Sequence, residues 1–137
     1  MFRRLPFALL VAGLALHLGG HAAHADCTTS ATHLGRFKDA YCDAKAYVAS
    51  IDDLNAVYAA LAGGLDNQAK GALKKTQLGW IDKRRAECGR TDGDRYYIDL
   101  SCAAGMTRDR TRYLRDRKAE CDAGACDLDA LSRLELP

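Results

Sequence analysis

The chain has 137 residues, of which 20 are basic and 18 are acidic, so its formal charge at pH 7 is only +2. This balance excludes the strong electrostatic field expected of a protein that binds nucleic acid or an anionic membrane surface. The length suits one small domain with a modest hydrophobic core.

The first 25 residues have the three parts of a secretory signal peptide. Arg3 and Arg4 give a charged start, residues 5–18 form an apolar run, and residues 23–25 read Ala-His-Ala, an A-x-A cleavage site. The run is short for a transmembrane helix. We therefore expect a bacterial Sec-type signal peptide and a periplasmic or secreted mature chain, residues 26–137, without a membrane anchor. Cleavage leaves 18 basic and 18 acidic residues, which makes the mature chain formally neutral.

All six cysteines lie in the predicted mature chain, at Cys27, Cys42, Cys88, Cys102, Cys121 and Cys126. An even number of cysteines in an exported protein indicates a disulfide framework, here three bridges. Zinc sites favour C-x₂-C pairs, and the sequence has none. We therefore expect no metal site and no cofactor.

Three helical segments follow one another in the mature chain, with no convincing alternating strand. The first begins near Leu34, ends at Gly63-Gly64, and carries an amphipathic stripe with helical spacing: Tyr47, Ile51, Leu54, Tyr58 and Leu61. The second runs to about Cys88, and the third covers about 98–118. Because the first connection is short, we predict an antiparallel helical hairpin. The expected fold is an all-α, disulfide-stapled bundle of this hairpin plus a third helix, in one domain.

The hairpin suggests how the cysteines pair. Cys42 lies about 22 residues before the turn and Cys88 about 24 after it, so the two reach nearly the same depth at ~1.5 Å per residue. We therefore favour Cys42–Cys88 with Cys27–Cys102. The alternative is Cys27–Cys42 with Cys88–Cys102. In both schemes Cys121–Cys126 is local.

One face of the second helix is chemically mixed. It carries, at gaps of 4, 3, 4 and 4, Leu73, Gln77, Trp80, Arg84 and Cys88. We expect Trp80 in the core, with Gln77 and Arg84 bonded to buried neighbours such as Asn55 or acidic residues of the first helix. The alternative is an exposed Trp/Arg contact site, since these residue types often dominate binding energy.

Three motifs resemble the N-terminal domain of LprI-type lysozyme inhibitors. They are Leu54-Asn55-x-x-Tyr58, then Gln77-x-x-Trp80-Ile81-x-x-Arg84-x-x-x-Cys88, then Cys102 with Thr107-x-x-Arg110-x-x-x-Leu114. The resemblance covers about 27–118 and leaves 119–137 as a C-terminal extension. Where the family has an aromatic residue followed by Arg-Asp, this chain has Lys83, Arg84 and Arg85.

The resemblance implies an exported inhibitor that binds lysozyme and blocks its cleft. Lysozyme uses two carboxylates in a cleft, and the charged segment 89–97 contains four residues suited to contact it: Arg90, Arg95, Tyr96 and Tyr97. A solvated connector is the alternative interpretation of this segment. The alternative function is a periplasmic envelope protein-interaction module without lysozyme activity. We expect no enzyme, because His33 is the only histidine of the mature chain and no catalytic set can be assembled around it.

Overall fold

The computed structural model describes Cys27 and residues 35–134. In chain order the elements are α1 (Gly35–Gly64), α2 (Asn67–Cys88), β1 (Gly89–Asp92), β2 (Arg95–Ile98), α3 (Leu100–Asp122) and α4 (Leu128–Leu131). The predicted all-α, disulfide-bonded fold is confirmed, with one small two-stranded sheet added. The predicted signal peptide and His33 lie outside the described residues. Within those residues, the helices lack a stretch long and apolar enough to cross a membrane.

A two-residue link joins α1 to α2. α1 ends at Gly64, as the Gly63-Gly64 pair predicts, and Leu65 turns inward to become almost fully buried. Asp66 then caps α2 by accepting a hydrogen bond from the backbone N–H of Ala69 at 2.8 Å. Such a short link folds α2 back along α1.

The closest helix packing in the fold is between α1 and α3. α3 carries several small buried side chains, namely Ala103, Ala104, Thr107 and Thr111. Small side chains allow two helices to approach closely. The larger side chains of Leu73 and Trp80, which belong to α2, are part of the core cluster. The core therefore lies between three helices, and α3 is as central as the predicted hairpin.

The C-terminal segment closes one side of this core. Asp127 caps the one-turn helix α4 by accepting hydrogen bonds from the N–H groups of Asp129 and Ala130. Leu131 is 1% exposed, and its carbonyl oxygen accepts a hydrogen bond from the Thr76 hydroxyl on α2 at 2.6 Å. The Tyr113 hydroxyl on α3 donates to the carbonyl of Ala130. α4 is thus fastened to both α2 and α3.

All six cysteines form disulfides, which join Cys27 to Cys42, Cys88 to Cys102, and Cys121 to Cys126. The favoured prediction, Cys42–Cys88 with Cys27–Cys102, is wrong. The alternative scheme and the local bridge are the ones observed.

The favoured pairing fails because of side-chain direction. Side chains of the two helices do meet about one turn inside the two cysteines, since the Arg84 guanidinium near the end of α2 lies 5.4 Å from the Tyr47 ring in the first half of α1. However, Cys88 is buried on the side that faces α3, with its sulfur 3.4 Å from that of Met106. Equal depth on two helices does not make two side chains point at each other.

Candidate protein-interaction site

Residues 89–98 form a β-hairpin on the end of α2, where the sequence shows no convincing alternating strand. β1 and β2 pair antiparallel, with Arg90 opposite Tyr97 and Asp92 opposite Arg95. Gly93 has a φ of +57° and takes the first position of the two-residue turn, the position that a type II′ turn reserves for glycine. The strands are four residues long and largely exposed, so no alternation of buried and exposed residues marks them in the sequence.

The base of the hairpin is fixed at both strands. The N–H of Asp99 donates to the carbonyl of Cys88 at 2.8 Å, and the Asp99 carboxylate caps α3 by accepting from the N–H of Cys102 at 2.9 Å. The Cys88–Cys102 disulfide then ties the two ends of the segment together. The hairpin is therefore held as a rigid projection between α2 and α3.

One face of the hairpin presents an arginine and an aromatic ring to solvent. The Arg90 guanidinium lies 4.7 Å from the centre of the Tyr97 ring, a cation–π arrangement between cross-strand partners. Tyr97 remains 37% exposed. A groove of about 480 Å³ runs beside this pair and is lined by Glu87, Cys88, Gly89, Arg90, Tyr97, Ile98 and Asp99.

Tyr96 lies on the opposite face of the hairpin and turns toward α2. Its hydroxyl donates to the backbone carbonyl of Arg85 at 3.1 Å, and the Arg85 guanidinium lies 5.3 Å from its ring centre. The four predicted contact residues are therefore on one hairpin but not on one face. Arg95 shares the face of Arg90 and Tyr97, because side chains directly opposite or two residues apart point the same way.

Two polar residues of the family motif, Gln77 and Arg84, are half-buried and bond to side chains of α3. Arg84 donates from Nη1 to the Thr107 hydroxyl at 2.9 Å, and its guanidinium lies 4.8 Å from the Trp80 ring centre. The amide oxygen of Gln77 accepts from Nε of Arg110 at 3.1 Å. The expected buried partners are therefore on α3, not on α1. The other motif positions are divided: Leu54 and Trp80 are buried, Tyr58 is half-buried, and Asn55 and Ile81 are exposed.

Arg110 is unusual for an arginine because its side chain is completely buried. Burial lowers the pKa of its guanidinium, since apolar surroundings disfavour the charged form, while the neighbouring Tyr113 acts in the opposite direction. Gln77 supplies its one hydrogen bond among the described residues, and Nη1 and Nη2 have no partner there. The position of Arg110 marks it as part of the fold rather than of the surface.

The part of the chain that the structure describes contains no group of three or more His, Cys, Asp or Glu side chains arranged to hold a metal ion. The hairpin carries exposed aromatic and basic side chains together, on a base held by backbone hydrogen bonds and a disulfide. Such a surface is suited to bind a protein partner through stacking and charge-assisted hydrogen bonds.

Comparison with known proteins identifies the family. Residues 24–114 match the family model described as lysozyme inhibitor LprI. No curated protein and no solved structure matches the chain. The matched range includes α1, α2, the hairpin and most of α3, but not α4. The chain therefore belongs to the lysozyme inhibitor LprI family.

Proposed function

We propose that this protein is exported, binds lysozyme and inhibits it by placing the β1–β2 hairpin in the enzyme's cleft. Membership of an inhibitor family supports a protein partner and a non-catalytic role. The observation that carries the proposal is the projecting hairpin, which exposes Arg90 and Tyr97 on a base fixed by the Cys88–Cys102 disulfide. Three disulfides also suit an oxidising compartment such as the periplasm or the exterior.

The chemistry of the hairpin suits a cleft that contains carboxylates. Lysozyme hydrolyses glycosidic bonds with a pair of carboxyl groups, and an arginine can bond a carboxylate through two parallel N–H donors. Arg90 and Arg95 supply such donors, and Tyr97 offers a ring that can occupy a sugar-binding position. Asp92 and Asp94 balance the two arginines in charge. Contact with the carboxylates of the cleft therefore depends on where each arginine lies and not on the net charge of the hairpin.

A cell-wall lysis assay with purified mature protein tests the proposal. We expect lysis by lysozyme to slow as the protein is titrated, and Arg90→Ala to weaken inhibition about tenfold, the scale of an interface arginine. Arg112→Ala is the matched control, because the Arg112 side chain is 71% exposed on α3, outside the hairpin. Unchanged lysis at a large molar excess of the wild-type protein would reject the proposal.

A second assay separates inhibition of the enzyme from shielding of its substrate. The protein is mixed with lysozyme and a soluble oligosaccharide substrate, and separately sedimented with cell walls alone. We expect slower hydrolysis of the soluble substrate and no co-sedimentation with the walls. Co-sedimentation without any effect on the soluble substrate would contradict binding to lysozyme.

The alternative function is an envelope protein-interaction module without lysozyme activity, and one observation favours it. Phe37 and Val48 on α1 are 75% and 57% exposed, and Tyr41 lies near the same helical face at 42%. An exposed apolar stripe of this kind can serve as a contact for another protein. Recovery of a specific envelope protein that is lost with Phe37→Ser, with no effect on lysozyme, would support this function over the first.

A further inference from the structure

We infer that Tyr96 is a positioning residue: it locks the hairpin onto the end of α2 and thereby makes the opposite face, with Arg90 and Tyr97, the face that meets the partner. The hydrogen bonding of the hairpin is a property of the free protein and can be tested without lysozyme. Its consequence for binding rests on the proposed function.

The pairing register divides the hairpin into two faces. Arg90 and Tyr97 are directly opposite each other, and so are Thr91 and Tyr96. Adjacent residues of a strand point to opposite sides of a sheet. Tyr96 and Tyr97 therefore cannot contact one flat surface together, although they are neighbours in sequence and similarly exposed.

The hydroxyl of Tyr96 meets a need of α2. The last four carbonyl groups of an α-helix have no partner within the helix, and Arg85 belongs to the last turn of α2. Tyr96 donates to the Arg85 carbonyl at 3.1 Å, and the N–H of Asp99 donates to the Cys88 carbonyl at 2.8 Å. The hairpin thus caps the helix from which it emerges. Its angle to α2 is fixed by these two bonds.

Position 89 is adapted to this contact. A Cβ atom added to Gly89 would overlap both the Tyr96 hydroxyl and the carbonyl oxygen of Arg85. Only glycine leaves room for the tyrosine to reach the helix end at this point. The Arg85 guanidinium then covers the Tyr96 ring at 5.3 Å. Tyr96 is therefore held by a backbone acceptor, a cation and a close glycine, whereas Tyr97 stacks with Arg90 on the other face.

A rigid hairpin favours binding because it loses little conformational entropy when the partner binds. Preorganised loops retain more of their contact energy as affinity. The face fixed outward combines Arg90, Tyr97 and Arg95 with the groove at its base. The partner chemistry that fits this face is a concave, carboxylate-bearing cleft. On this basis Tyr96 supports binding without touching the partner.

Backbone amide exchange in the free protein tests the positioning role. Tyr96→Phe removes only the hydroxyl, and we expect amides of the hairpin to exchange about two- to tenfold faster, the range that corresponds to one net hydrogen bond. Tyr97→Phe is the matched control, since it removes a hydroxyl from the other face, and it should leave hairpin exchange unchanged. Gly89→Ala should act in the same direction as Tyr96→Phe. Equal exchange in Tyr96→Phe and wild type would overturn the inference.

Inhibition measured on the same variants tests the consequence for binding. We expect Tyr97→Ala to raise the lysozyme inhibition constant about tenfold and to increase the dissociation rate, as loss of a contact does. Tyr96→Phe should raise the constant only about two- to fivefold and in proportion to its faster exchange. Loss of inhibition in Tyr96→Phe without faster exchange would make Tyr96 a contact residue and overturn the inference. Absence of inhibition by the wild-type protein would reject the proposed function, and the exchange data would still decide the positioning role.

Discussion

Nε of Arg110 on α3 donates to the amide oxygen of Gln77 on α2 across 3.1 Å, inside a bundle that buries the arginine completely. Both residues belong to the motifs that identify the family. Their bond joins the second and third helices at a level where no disulfide does. It therefore explains why the mixed face of α2 carries a glutamine, since Gln77 is the acceptor for a buried arginine.

We expect Gln77→Leu to lower the free energy of unfolding by about 1–3 kcal/mol, because it leaves a buried donor of Arg110 without its acceptor. The double variant Gln77→Leu/Arg110→Met should recover most of this loss, since it replaces both polar partners by apolar side chains of similar size. Urea unfolding followed by circular dichroism measures both. Gln68→Leu, on the exposed first turn of α2, is the control. If Gln77→Leu were as stable as Gln68→Leu, the bond between Gln77 and Arg110 would not contribute to stability.

A second polar contact, the hydrogen bond between Arg84 and Thr107, leads us to expect that even a charge-conserving substitution of Arg84 lowers stability. Arg84→Lys loses the guanidinium that donates to Thr107 and lies near the Trp80 and Tyr47 rings. We expect a loss of about 1–2 kcal/mol in stability, since one hydrogen bond and two stacking contacts are weakened. Fluorescence of the single tryptophan during urea unfolding reports it. Arg112→Lys, on the exposed side of α3, should change stability little, and an equal effect of the two variants would refute the prediction.

The disulfide pairing is testable by mass spectrometry of the unreduced protein. Cleavage at Arg90 and Arg95 should leave the Cys88 and Cys102 peptides linked to each other. Removing this bridge by a double serine variant should cost about 3 kcal/mol, the value for a closed loop of about 15 residues in the chain-entropy description. The Cys121–Cys126 bridge, whose cysteines are only 5 positions apart in sequence, should contribute less. Peptides that link Cys42 to Cys88 would contradict the observed scheme.

The C-terminal helix α4 lies outside the range matched to the family, and we expect it to contribute to stability. Leu131 is 1% exposed within the core cluster, whereas Leu128 on the same helical turn is 38% exposed. We expect Leu131→Ala to cost about 2–5 kcal/mol, the range for a buried leucine, and Leu128→Ala to have a much smaller effect. Thermal unfolding of the two variants makes the comparison. Equal midpoints would show that α4 adds nothing to the core.

Features that depend on local chemistry could be predicted before the fold was known. Periodicity and glycine placement predicted the three long helices and the end of α1 at Gly64, because both act over a few residues of chain. The even cysteine count predicted complete disulfide pairing. The motif residues from Gln77 to Cys88 predicted the family, and their mixed chemistry predicted buried polar partners.

Contacts between residues distant in the chain depended on how the helices pack. Depth along a helix was not enough to predict a disulfide, because the direction of a side chain around its helix depends on packing, and Cys88 points toward Met106 on α3. The partners of Gln77 and Arg84 lie on α3 for the same reason. The hairpin strands form through backbone hydrogen bonds and a turn at Gly93, so their exposed side chains carry no periodic signal. The structure also separates Tyr96 from Tyr97, because strand pleating sends adjacent side chains to opposite faces whatever their chemical similarity.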